Sequence, residues 1–191
     1  MTENPAASVQ WTRRGFFGLA IGAAAAAASP GLAAPSYNSG AGAFRRLRLY
    51  SNRLGEKADL VYWIDGVYVP EAMQELSHVL RDWRTDQSRP YDRRVLDVLS
   101  AAHRKMDCQE PYEIVSGYRS PQTNAMLRVR NRGVARNSYH VKAMAVDVAL
   151  ESRSVRQMAN AAESLHAGGV GRYTRSEFVH MDCGPVRTWG S

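Results

Sequence analysis

The sequence predicts an α+β domain: a small antiparallel sheet flanked by helices. Two observations point there. Some segments alternate polar and apolar residues with the period of a half-buried strand, and others repeat apolar residues at helical spacing. The two kinds are mixed without a regular βα alternation, which argues against a doubly wound parallel sheet.

The elements follow in order. Arg46-Leu47-Arg48-Leu49-Tyr50 alternates as a strand, and residues 58–64 form a second. Asp65-Gly66 is a strong turn signal, so these strands read as a hairpin continued by Val67-Tyr68-Val69. Pro70 suits the first turn of a helix running to about Arg84, with Met73, Leu76, Val79, Leu80 and Trp83 inward. Residues 91–106 form another helix, burying Val95, Leu96, Val98, Leu99 and Ala102. Tyr112 to Val115 is a short strand. Ser120-Pro121 opens a basic helix to about Arg132, stopped by Gly133. Met144 to Leu150 is a strand, and Ser152 to His166 is a helix stopped by Gly168-Gly169. Residues 170–173 and 177–182 are the final strands.

Residues 1–34 read differently. A polar stretch ends in Arg13-Arg14, an alanine-rich apolar run follows, and Pro30 with small residues closes it. This order is that of a secretory signal, and the arginine pair before Gly-Phe-Phe resembles a twin-arginine signal. The expected location is therefore the periplasm. Residues 35–44 read as a flexible lead-in and 45–191 as the folded domain.

The chain has 191 residues, with 25 basic and 18 acidic side chains and a net charge of +7. Removing the first 33 residues takes away two arginines and one glutamate, so the basic character belongs to the folded part. Such a balance excludes an acidic solvating protein and points to an anionic partner. Arg128, Arg130, Arg132, Arg136 and Lys142 would attract anionic wall polymer or form a plain solvated face. An export signal argues against nucleic acid. Two cysteines exclude a disulfide scaffold. In an oxidising compartment, Cys108 and Cys183, each beside a candidate core strand, are expected to bond.

Of five histidines, His78, His103 and His166 sit in helical patterns and read as surface or boundary residues. His140 and His180 stand beside strands with Asp147, Glu177 and Asp182 close in sequence. A catalytic zinc takes three protein ligands and one open position. His140, Asp147 and His180 supply such a set, leaving Asp182 or Glu177 to carry the proton. Strand alternation puts His180 and Asp182 on one face and turns Glu177 away, which favours Asp182 as the orienting or proton-handling group.

Ser116-Gly117-Tyr118-Arg119-Ser120, Ser138-x-His140-x4-Ala145-x-Asp147, Gly169-Val170-Gly171 and Phe178-Val179-His180-x-Asp182 occur in one order. Together they resemble the zinc D-Ala-D-Ala peptidase family, which includes VanX and the Hedgehog fold, and within it the murein endopeptidase branch. The resemblance covers about residues 45–190. It implies zinc on His140, Asp147 and His180, with Arg119 binding and polarising substrate and Tyr118 and Ser138 in contact with it. It also implies peptidoglycan as substrate, cut at its peptide cross-links. A D,D-carboxypeptidase or dipeptidase, or a non-catalytic zinc-containing wall-binding protein, are the alternatives. Many relatives carry glycine where this chain has Ala143.

Overall fold

The computed structural model describes residues 42–131 and 133–190, so the expected export signal and the lead-in up to residue 41 lie outside the described residues. The domain is α+β. Its sheet is larger than the sequence predicts, with eight strands in the order β3-β2-β1-β4-β5-β7-β6-β8. The hairpin β1 (Phe44–Ser51) and β2 (Glu56–Ile64) is extended by β3 (Val67–Tyr68) through the Asp65-Gly66 turn, both residues of which have positive φ. β4 (Tyr112–Ser116) adds parallel to β1. β5 (Ala145–Ala149), β7 (Phe178–Asp182) and β6 (Gly169–Tyr173) continue antiparallel, and β8 (Arg187–Gly190) closes the edge parallel to β6.

Both parallel pairings and β8 itself escape a local reading of the sequence. A parallel neighbour is reached through a long crossover, and β8 has only four residues, of which none is buried.

Among the described residues four α-helices complete the fold: α1 (Pro70–Val79), α2 (Arg93–Lys105), α3 (Pro121–Arg130) and α4 (Val155–Glu163). The serines before α3 and α4 accept from the backbone three residues on, and Ser154 and Gln157 form a reciprocal capping box. Val95, Leu96 and Leu99 of α2 and Met158 of α4 share one core with Val146, Val148, Val179 and Met181. Full burial of each such side chain contributes about 1.5–3 kcal/mol. Asp97 of α2 is buried and accepts from Arg45, Tyr62 and Tyr68, locking the β1–β3 hairpin to the helix. Among the described residues no helix is long and apolar enough to cross a membrane.

α1 stops earlier than its apolar period predicts. Asp82 is buried, its amide donates to Gln87, and its carboxylate accepts from the Arg84 and Ser120 amides. Those bonds pull residues 81–87 into a turn. Trp83, expected inward, is therefore 37% exposed.

The expected Cys108–Cys183 disulfide does not form; both thiols are free and buried. Cys108 lies beside the 152–153 segment that follows β5, whereas Cys183 donates its amide to Met144, which precedes β5. A strand of five residues, roughly 17 Å at 3.4 Å each, separates the two ends. A disulfide needs Cα atoms within about 7 Å.

Candidate metal centre

Alternation along β5 sends Val146 and Val148 into the core and Ala145, Asp147 and Ala149 to the other face. On that face a row of cross-strand partners runs Ser116, Asp147, His180, Gly171, Trp189, one residue from each of five strands. His140 comes from a single 3-10 turn, residues 139–142, capped by the Ser138 hydroxyl. That turn ends at Ala143, which holds φ 53° and ψ 42°. This is the left-handed region that favours glycine and costs a side chain about 1–2 kcal/mol. The expected departure at this position thus falls where a glycine would be at ease.

Three ligand atoms converge. His140 Nε2 lies 3.2 Å from Asp147 Oδ1 and 3.2 Å from His180 Nδ1, and His180 Nδ1 lies 2.8 Å from Asp147 Oδ1. Tetrahedral bonds of about 2.0–2.1 Å to zinc put ligand atoms roughly 3.3 Å apart. The protons on the rings are spoken for elsewhere. His140 Nδ1 donates to the Gly117 carbonyl at 2.7 Å, and His180 Nε2 donates to Asp182 Oδ2 at 2.9 Å. Two imidazole lone pairs and one carboxylate oxygen therefore face one another, an arrangement that a divalent cation satisfies. The donor set fits zinc.

The electrostatics separate the two histidines, and a cation at the centre would take the place of a proton between His180 and Asp147. Burial holds the His140 pKa below the ordinary histidine value. Burial also opposes charge on His180, but hydrogen bonds to Asp147 and Asp182 outweigh it and raise its pKa. The two histidines likewise outweigh burial at Asp147 and keep its carboxyl far below the usual range.

Asp182 is placed differently from a proton carrier. It is fully buried, with 0% exposure. Its oxygens accept from His180 Nε2, the Gly169 and Gly184 amides and both terminal nitrogens of Arg187. A carboxylate so saturated orients His180 and has no lone pair aimed at the cleft. Glu177 is no better placed for the task. It is exposed, sits in the left-handed region at φ 54°, and lines a separate groove with Glu113 and Ala149. Neither expected base faces the metal centre.

Arg119 enters the site from the loop between β4 and α3. Its Nε donates to Ser116 Oγ at 2.9 Å and its Nη2 to Asp147 Oδ2 at 2.6 Å. Its Nη1 carries no hydrogen bond to the described residues and is left for another acceptor. Ser138 lines the cleft, but its hydroxyl is engaged by the His140 amide. Tyr118 does not reach the cleft; it is buried, with its amide donated to Leu80. His103 is also internal, its Nε2 within 2.7 Å of the Glu110 carbonyl and its ring edge-on to Tyr112.

The site opens into a cleft of about 370 Å3. One wall is aromatic: Trp189 lies 5.1 Å from the His180 ring and donates to Tyr173, which stacks on Phe178 at 4.4 Å. Trp189 and Arg187 were not foreseen as site residues. Both belong to β8 and reach their targets across β6. They do so over Gly171 and Gly169, where a Cβ would strike the Trp189 ring at 2.6 Å or overlap the Arg187 guanidinium. The Gly-x-Gly pair on one strand face was the available signal.

Comparison with known proteins agrees with this geometry. The family described as "Peptidoglycan L,D-endopeptidase MepK" matches residues 39–189. Among individual proteins, the peptidoglycan L,D-endopeptidase MepK of Escherichia coli (strain K12) is 39% identical over 145 residues, 76% of this chain and 80% of that protein. The probable peptidoglycan L,D-endopeptidase MepK of Haemophilus influenzae is 37% identical over 136 residues, 71% of this chain and 73% of that protein.

Proposed function

This chain belongs to the peptidoglycan L,D-endopeptidase MepK family, and from that premise we propose that it is a zinc-dependent hydrolase that cuts the peptide cross-links of peptidoglycan. The observation that carries the reading is the triangle of His140 Nε2, Asp147 Oδ1 and His180 Nδ1, with the other nitrogen of each ring bonded to Gly117 or Asp182. Zinc held there supplies Lewis acidity toward an amide carbonyl and lowers the pKa of water.

The protein's own residues do the rest. Gly117 and Asp182 fix the tautomers of His140 and His180. Ser116 and Asp147 hold the Arg119 guanidinium in one orientation, and its Nη1 donates to the oxyanion that develops on the scissile carbonyl. Trp189, Tyr173 and Phe178 offer an apolar surface against which a stem peptide lies. Asp147 is the one carboxylate that lines the cleft among the described residues. The proton delivered to the leaving amine therefore travels through solvent in the cleft, not through Asp182 or Glu177.

We infer that residues 1–34 direct export by the twin-arginine route, which brings the enzyme to its substrate in the periplasm. Both relatives are named peptidoglycan L,D-endopeptidases, which supports an L,D-linked cross-link as the bond to test first. The test is digestion of defined cross-linked muropeptide dimers, followed by mass spectrometry. The expected result is conversion of the L,D-linked dimer to monomers, abolished by chelation and restored by zinc. Shortened stems with the dimer intact would make the protein a carboxypeptidase. No change with zinc loaded would refute hydrolysis altogether.

A further inference from the structure

Outside the cleft, two segments distant in sequence bring positive charge together on one exposed tryptophan, and the charge of a third is felt there. Trp83 stands on the 81–87 turn, with the Arg84 guanidinium 4.1 Å from its ring centroid. Arg53, from the β1–β2 turn, stacks on the same ring at 4.7 Å. Arg130 ends α3. None of Arg53, Arg84 and Arg130 makes an ion pair with a carboxylate among the described residues. The cluster is felt at Arg84, where burial and then the charges of Arg53, Arg119 and Arg130 outweigh Asp82 and lower its pKa.

The turn that presents Trp83 is rigidly built. The buried Asp82 carboxylate ties it to the Arg84 and Ser120 amides, and the Leu80 carbonyl accepts from Tyr118 at 2.7 Å. It is thereby fixed beside the loop that carries Arg119. Asp86 and Glu56, the surface carboxylates next along the chain, are held by Arg81, so the surplus of positive charge at Arg53 and Arg84 is relieved when an anion shares the surface. Guanidinium groups stacked on an indole leave their N–H edges free to grip carboxylates. The indole, 37% exposed, holds the two guanidinium groups against its ring and offers an apolar edge next to them.

We propose that Trp83, Arg53 and Arg84 form a docking platform, separate from the cleft, for the carboxylate-bearing glycan–peptide polymer. It holds the enzyme on insoluble wall while the cleft takes individual cross-links. The proposal rests on peptidoglycan being the substrate, and its test reads binding apart from cleavage. Trp83→Ala and the double variant Arg53→Glu/Arg84→Glu are compared with the parent in two measurements. One is co-sedimentation with purified sacculi across a salt series, and the other is cleavage of a soluble cross-linked dimer.

Sacculus affinity is expected to fall about tenfold in the double variant, where two surface pairs become repulsive, and about fivefold in Trp83→Ala. The parent's binding weakens with salt. Cleavage of the soluble dimer stays within about twofold in both variants, a tolerance that surface changes remote from the cleft satisfy. Unchanged sacculus binding overturns the platform. So does loss in the double variant alone with Trp83→Ala bound like the parent, which leaves only non-specific attraction. Soluble-dimer cleavage falling in step with sacculus binding assigns these residues to the cleft instead. A parent that sediments with sacculi yet leaves every dimer intact refutes the enzymatic reading and not the platform.

Discussion

Replacing Asp182 separates an orienting role from a proton-carrying one. The side chain takes five hydrogen bonds, from His180, Arg187 twice, Gly169 and Gly184. Asp182→Ala frees the His180 ring to rotate or change tautomer, so that Nδ1 no longer presents a fixed lone pair. Losing such a support costs about 10–100-fold in metal affinity, or roughly 1.4–2.7 kcal/mol. The buried Gly169 amide also loses its acceptor, at about 1–3 kcal/mol. Arg187 adds less, because its side chain is 38% exposed and water can solvate it. Asp182→Asn keeps the shape but gives one oxygen where the Arg187 fork and the His180 N–H need two. Zinc affinity should fall for both variants, and kcat at saturating zinc should stay within about tenfold of the parent.

Competition with a chromophoric chelator gives the affinity, and dimer cleavage in a zinc buffer gives kcat. If both variants bind zinc like the parent while kcat drops by a hundredfold or more, a range typical of a lost acid or base, then Asp182 carries the proton. The stability measurement has its own sign. Burial works to raise the Asp182 pKa, and His180 and Arg187 outweigh it, so the native value lies below the unfolded one. The parent's advantage over Asp182→Asn is therefore complete above about pH 4 and shrinks as the pH falls below it.

Other outcomes are expected elsewhere. Glu177→Ala should keep cleavage within about twofold, as an exposed side chain outside the cleft would; an inactive, zinc-loaded variant would return the base to Glu177. Cys183, its thiol pushed up to about 12 by burial, and Cys108, raised by burial too, should resist alkylation in the native protein at pH 8. Both should label after denaturation without reductant, and fewer than two labelled thiols would contradict the structure. Arg13→Lys with Arg14→Lys should abolish periplasmic accumulation; unchanged levels would remove the twin-arginine reading.

Much of the fold was legible because its signals are local. The 44–51 and 56–64 strands alternate, the Asp65-Gly66 turn is a two-residue motif, and α2 buries the residues its period selects. The placement of His180 and Asp182 on one face also follows from alternation along β7. What could not be read depends on partners far along the chain. Trp83 continues the apolar period of α1, and only the Ser120 and Gln87 contacts of Asp82 end the helix before it. Cys108 and Cys183 each adjoin a core strand, but which end of β5 they meet is set by antiparallel pairing. The role of Asp182 was open for the same reason, since its saturation depends on Arg187 from a strand with a weak sequence signal.

The centre is therefore a product of sheet register as much as of ligand choice. Asp147 and His180 are direct antiparallel partners, which alone brings two of the three ligands together. The two glycines of β6 carry no side chains, and so turn an intervening strand into a passage. Through it Trp189 reaches His180 and Arg187 reaches Asp182, each from its own level of β8. Arg187 keeps Asp182 ionised, Asp182 holds the His180 proton, and His180 presents its lone pair. A shift of one residue at any pairing in the β5–β7–β6–β8 register would turn the displaced strand's members of this chain to the opposite face and break the chain there. Residues with no contact to the ligand atoms, Gly169 and Gly171 above all, are thus as necessary to the site as the histidines.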